Sequence, residues 1–245
     1  MTDWLRNRPF AHRGLHGPDT GPENSLAAFE AAVARGYGIE CDLRLLADGG
    51  VAVFHDRELC RLTDRTGMIA RLTTRDLTAL RLGGTDQCPP LLEQVLALVA
   101  GRVPVYLELK AEGSPEPLVR AVCERLVGYA GPHCLASFDP RALAVTARLC
   151  PDRIRCLIAS EQAEVSMAWP RRCVRRHLFH ALPARPHCIA YDLCGLPNTS
   201  LAFLRRLGLP VLVWTVRSRE DMDKALRYGD NIVFEGFSPP SPGNT

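Results

Sequence analysis

Glu40, Asp42 and Arg44 alternate with Cys41 and Leu43, and Glu108 and Lys110 alternate with Leu107 and Leu109. A strand's period of two puts the charged residues of each run on one face and the apolar residues on the other. Three carboxylates that converge from two such strands require a cation. Two kinds would serve: a bound divalent metal, or Arg44 and Lys110 in a structural ion network. Buried ion networks seldom add stability, so the pattern favours the metal. An all-oxygen ligand set selects hard ions, Mg²⁺ or Ca²⁺ first and Mn²⁺ also, over zinc. His12 precedes Arg13, and His55 precedes Asp56. An isolated histidine is read as a structural imidazole, but two placed beside the acids suit a general acid and a general base near neutral pH.

These residues need a scaffold that brings strand ends together. Short β-rich runs at 9–12, 37–44, 103–110, 134–138, 154–158, 188–193, 210–216 and 231–235 alternate with helical periods at 25–35, 91–100, 116–129, 141–149, 161–176, 200–207 and 218–227. Eight such units in about 250 residues predict an α/β fold, a TIM (β/α)8 barrel, with a missing or vestigial eighth helix. The turn ADGG at 47–50 followed by VAVFHD predicts a hairpin extension after strand 2. Residues 57–90 then form a longer connection with a short helix at 74–80, placed to lie over the barrel mouth. In a barrel the apolar faces meet the helices, so the charged faces point inward at the strand ends where such folds build their sites. Asn24, in GPENSLAAF, reads first as the N-cap of the following helix, with a role beside the site as the alternative. The whole chain, 1–245, is expected to be a single domain.

Several of these segments resemble the glycerophosphodiester phosphodiesterase family: AHRG at 11–14, PENS at 22–25, IECD at 39–42, DGGVAVFHD at 48–56, RLTDRTG at 61–67, LELK at 107–110, ASF at 136–138 and VWTV at 213–216. The resemblance implies metal-dependent hydrolysis of glycerophosphodiesters to an alcohol and sn-glycerol 3-phosphate. It implies Glu40, Asp42 and Glu108 as metal ligands, His12 and His55 as the catalytic pair, and Arg13 and Lys110 as holders of the substrate phosphate. Trp214 matches an aromatic near the substrate, core packing being the alternative. In similar enzymes the glycerol 2-hydroxyl attacks, giving a cyclic phosphate that water opens. Related readings are phospholipase D-type action on lysophospholipids or sphingolipids, and a non-catalytic phosphate-ligand sensor. Residues 231–237, NIVFEGF, depart from the Thr-Asp that many relatives carry before a proline, which leaves the eighth strand's contribution to the pocket open. No inserted domain is apparent, which suggests an accessible site and broad specificity.

Composition narrows the partners. Thirty Lys and Arg against 27 Asp and Glu give +3, too little for a nucleic-acid binder. Only Lys110 and Lys224 are lysines. The ten cysteines contain no C-x-x-C pair, and they read as buried free thiols in a reducing compartment. MTDWLRNRPFAHRG lacks the apolar run of a signal peptide, and no stretch reaches the 18 or so apolar residues of a membrane span. A cytoplasmic protein acting on a small-molecule glycerophosphodiester, without stable membrane association, is expected. The basic stretch Arg171, Arg172, Arg175, Arg176, His177, His180, Arg185 and His187 reads as a solvated helix face. No feature of the sequence specifies an oligomer.

Overall fold

The computed structural model describes residues 2–160, 178 and 184–240. Two compact units are present, Phe10–His133 and Met1–Pro9 with Cys134–Thr245.

In the unit Phe10–His133, β1 (Phe10–Ala11) runs parallel to β2 (Gly38–Leu45), and β2 runs parallel to β4 (Val105–Leu109). The expected hairpin is present: β3 (Val51–Val53) returns antiparallel along the end of β2, with Arg44 opposite Ala52. Phe10 sits beside Gly38, where a Cβ would lie 2.6 Å from the Phe10 ring, so the glycine is what lets that ring pack. Helix α1 (Leu26–Ala34) buries Ala28, Phe29, Ala32 and Val33. Helix α3 (Leu92–Val99) buries Leu92, Val95, Leu96 and Val99, the i, i+3, i+4, i+7 stripe of an amphipathic helix. Burying each such Leu or Val contributes roughly 2 kcal/mol of transfer free energy. Residues 57–90 carry the short helix α2 (Thr74–Leu77), started by a Thr73–Asp76 capping box. They pack a cluster of their own, in which Leu59, Ile69, Leu77, Leu80 and Leu82 close on Leu46, Ala52 and Phe54. Helix α4 (Glu116–Arg125) ends earlier than the sequence suggests, because the chain turns through Gly128 at φ +80°.

In the other unit, β5 (His133–Ser137), β6 (Ile154–Ala159), β7 (Cys188–Asp192), β8 (Val211–Val216) and β9 (Asn231–Phe234) are successively parallel. Helices α5 (Pro140–Leu149), α6 (Thr199–Arg206) and α7 (Arg219–Tyr228) separate them, each started by a side-chain cap, from Asp139, Asn198 and Ser218. Asn231 Nδ2 donates to the carbonyls of Leu5 and Arg8, both at 2.7 Å, tying the first residues to β9. Eight parallel strands alternating with helices make this a TIM (β/α)8-barrel chain, and residues 235–240 after β9 are not helical. The helix expected at 161–176 and most of the basic stretch lie outside the described residues; Arg185 and His187 are described.

The cysteines depart from the expected buried free thiols in two ways, exposure and pairing. Cys41, Cys134, Cys156 and Cys188 are buried thiols outside any disulfide, and Cys60, Cys88 and Cys194 are likewise unbridged but reach solvent. Cys123 and Cys150, however, are disulfide-bonded. A disulfide depends on the distance between sulfurs in space, which sequence spacing without a C-x-x-C pair does not reveal. Among the described residues no helix is long and apolar enough to cross a membrane.

Candidate active site

The parallel register of β2 and β4 sets Asp42 beside Glu108, and Glu40 follows two residues earlier on the same face of β2. All three side chains are buried, and one oxygen from each lies within 4.8 Å of the others. Their neighbours fix them. The backbone N–H of Arg13 donates to Glu40 Oε2 at 2.9 Å. That N–H is aimed by a tight turn in which Arg13 and Gly14 have φ of +57° and +81°. A Cβ on Gly14 would meet Phe29 at 2.9 Å, so the turn requires glycine. Asn24 Nδ2 donates to Asp42 Oδ2 at 2.8 Å, while the helix N-cap is Ser25, whose Oγ accepts from Ala28 N. The sequence placed Asn24 at the cap; the structure gives that position to the next residue and turns the Asn24 amide onto the acid.

The electrostatics are those of like charges confined together. Burial, reinforced by Asp42, pushes Glu40 up to about 8. Glu108 is also raised, by burial first, with Lys110 opposing. Burial works against ionised Asp42, but Lys110 and Arg13 hold it well below the usual carboxylate range. Asp42 Oδ1 is buried and accepts no hydrogen bond, although Lys110 Nζ lies 3.2 Å away as an ion pair. The ion-pair distance and the missing hydrogen bond describe one contact with poor directionality. An oxygen-only donor set with a spare buried acceptor fits a hard divalent cation.

Lys110 Nζ also pairs with Glu108 Oε1 at 2.6 Å. Burial lowers its affinity for a proton, but Glu108 and Asp42 more than offset this, so it stays cationic. Arg13 Nε lies 3.4 Å from Asp42 Oδ2, and its Nη1 donates to Glu23 Oε1 at 2.7 Å. Arg44 behaves differently. Its Nε and Nη2 donate to the His55 carbonyl and its Nη1 to Glu112 Oε1 at 2.6 Å, so it braces the end of β3 and pairs with none of the three acids.

Both histidines are in the same unit as the acids. His12 Nε2 lies 3.9 Å from Glu40 Oε2. His55 Nδ1 lies 2.6 Å from Asp56 Oδ1. An ionised Asp56 assigns the proton of that contact to Nδ1, which leaves Nε2 as the ring's other site of exchange. Burial, with Lys110 and Arg13, lowers the His55 pKa, while Asp42 and Asp56 oppose.

Two charged residues at this site were not singled out by the sequence reading. Glu23 and Arg61 form a fork, Nη1 to Oε2 at 2.9 Å and Nη2 to Oε1 at 2.7 Å, and Arg61 Nε donates to Asp56 Oδ2. The only sequence signal was their presence inside PENS and RLTDRTG. Trp214 lies in the other unit, on β8. Its Nε1 donates to the Ala190 carbonyl at 3.2 Å, and its ring stands edge-on to Phe138 at 5.3 Å. Lys224 donates to the Leu193 carbonyl and plays a local role.

A model of the glycerophosphoryl diester phosphodiesterase family matches residues 12–235. The chain is 30% identical to an uncharacterized Bacillus subtilis protein, YqiK, over 93% of this chain and 94% of that one. It is 26% identical to a glycerophosphodiester phosphodiesterase of the same organism, over 93% and 82%. A phosphodiesterase of Oleispira antarctica, solved in complex with its product sn-glycerol 3-phosphate, superposes with a TM-score of 0.79 at 26% identity, covering 94% of this chain and 93% of that one.

Proposed function

Because the chain belongs to the glycerophosphoryl diester phosphodiesterase family, we propose that it hydrolyses glycerophosphodiesters to an alcohol and sn-glycerol 3-phosphate, using His12 and His55 as its proton-transfer pair. The observation that carries this reading is the buried Glu40–Asp42–Glu108 cluster with two cationic side chains and two imidazoles around it. The Oleispira antarctica phosphodiesterase, whose solved complex holds sn-glycerol 3-phosphate, supports the product assigned.

Glu40, Asp42 and Glu108 would hold one divalent cation, Mg²⁺ or Ca²⁺, with Mn²⁺ also suited. When bound, that ion stabilises charge building on the phosphoryl oxygens. Arg13 and Lys110 donate hydrogen bonds to the same phosphate and keep it oriented. One histidine takes the proton of the glycerol 2-hydroxyl as its oxygen bonds to phosphorus. The bond from phosphorus to the departing alcohol breaks, and the other histidine protonates that alcohol. Water then opens the resulting cyclic phosphate, the two histidines exchanging roles. Asp56 keeps His55 in one tautomer throughout. Trp214 is assigned to substrate contact on family likeness alone.

Continuity of the family match across both compact units supports one domain over 1–245. The cytoplasmic location proposed rests on the seven cysteines outside any disulfide among the described residues, and the bonded Cys123 and Cys150 oppose it; thiol titration of freshly isolated protein, which reads the state of that pair, is the check.

The experiment is release of sn-glycerol 3-phosphate from glycerophosphocholine by purified protein with Mg²⁺ or Ca²⁺, and with EDTA as control. Metal-dependent release is expected. Absence of release with either ion, alongside cleavage of lysophospholipid, would move the substrate to lipids; intact lipids as well would leave a ligand sensor.

A further inference from the structure

We infer that Arg61 is a positioning residue that fixes His55 through Asp56 and ties that end of the site to Arg13 through Glu23; the inference rests on the reading of His55 as a proton carrier. Among the described residues each oxygen of Asp56 has a single donor. Oδ1 takes Nδ1 of His55 at 2.6 Å, and Oδ2 takes Nε of Arg61. With both oxygens held, the carboxylate has no freedom to rotate, and the imidazole it orients has none either. The remaining two nitrogens of Arg61 fork onto Glu23, and Glu23 Oε1 accepts in turn from Arg13 Nη1 at 2.7 Å. Five side chains are thereby joined in one line from Arg13 to His55.

The backbone beneath Arg61 is held independently of its charge. Leu59 is buried in the apolar cluster of the 57–90 connection, its N–H donates to the Gly67 carbonyl, and its own carbonyl accepts from the Thr63 N–H. The guanidinium thus projects from an anchored turn onto two carboxylates, and only a planar fork serves both at once; a lysine is a point charge with one nitrogen. Asp56 and Glu23 are both held below their ordinary carboxylate values, against burial, with hydrogen bonds from Arg61 the leading favourable cause. Arg61 is half exposed, so its removal leaves the core intact.

The test is steady-state hydrolysis of glycerophosphocholine by wild type, Arg61→Ala, Arg61→Lys, Asp56→Asn and the Arg61→Ala/Asp56→Asn double variant, with His55→Ala as reference. Arg61→Ala is expected to lower kcat about 10-fold or more, the scale of losing a partner that orients a functional ligand, with a smaller change in KM. Arg61→Lys should lose as much. Guanidinium ion at millimolar concentration should restore part of the Arg61→Ala turnover and none of the Asp56→Asn turnover. The double variant should be no slower than Asp56→Asn, because residues acting through one another are not additive. Wild-type kcat in Arg61→Ala, or losses that multiply in the double variant, would overturn the inference while the proposed function stands. Full activity in His55→Ala would instead remove the reading on which it rests.

Discussion

Buried charge is used in opposite ways in the two compact units. In the unit that carries β5 to β9, Arg155 is buried and directs its guanidinium at backbone carbonyls, those of Pro151, Arg153, Ala184 and Arg185. Asp192 is likewise satisfied by neutral donors, accepting from Cys194 N at 2.9 Å and Ser160 Oγ at 2.6 Å. In the unit Phe10–His133, three carboxylates face one another, one of their oxygens accepts no hydrogen bond, and the cations nearby are themselves candidates for binding phosphate. A buried charge that ends on the backbone holds architecture. Like charges held together oppose folding and persist where an ion or substrate completes them.

The contrast can be broken most sharply at the histidines. His12→Ala and His55→Ala should each lower turnover at least about 10²-fold, the usual scale of general acid–base catalysis, with little change in melting temperature. Near-wild-type turnover in either would remove that histidine from the proton pathway. Glu108→Gln comes next: it should weaken metal binding about 10-fold or more, the lower end of the loss from disturbing a metal's ligand environment. An unchanged calorimetric titration would exclude Glu108 as a ligand.

Arg155→Met should do the reverse, leaving kcat unaltered while lowering stability by roughly 2 kcal/mol, because several buried carbonyls lose their donor. Denaturant midpoints measure it, and a loss of kcat at unchanged stability would undo the contrast. Glu40→Gln sharpens it further. Removing one of three crowded acids should raise the melting temperature of metal-free protein by a few degrees while weakening metal affinity; a lower melting temperature would mean that the cluster is not strained by its own charge.

The smallest effect belongs to His187, whose Nδ1 accepts from Arg155 N at 3.1 Å. Burial first, and then Arg155, lower its folded-state pKa below 6.5. A depressed value means that the folded state favours the neutral ring. The contribution is therefore complete above the unfolded value and is lost as pH falls through the folded one. Stability between pH 7.5 and 5.5 should fall less in His187→Gln than in wild type, and an identical fall would show that His187 is not linked to folding.

Much of this was legible in the chain. The period-two runs around Glu40 and Glu108 announced which residues share a face, and the structure places them opposite in register. All eight expected strands are present, because an apolar run between turn-forming residues specifies a buried strand locally. The helix expected at 74–80 is present over Thr74–Leu77, and its Thr73–Asp76 box was an equally local signal. Asn24 was read one residue off, since Asn and Ser are both good caps and only the φ of +58° at Asn24 sends its side chain elsewhere. Arg44 shared its strand face with Glu40 and Asp42, yet its length lets it reach past them to the His55 carbonyl.

What the sequence determined by itself was therefore the strands and helices of the described residues, the face on which the acids stand, and the two histidines that follow strand ends. Those depend on periodicity and on residue chemistry, and both are local. The tertiary structure alone decided that Asn24 holds Asp42, that Arg61 reaches Glu23, 38 positions before it, and joins it to Asp56, and that Cys123 and Cys150 are bonded while the other described cysteines form no disulfide. A hydrogen bond or a disulfide is set by a few tenths of an ångström between atoms far apart in the chain, and no period or propensity encodes such a distance.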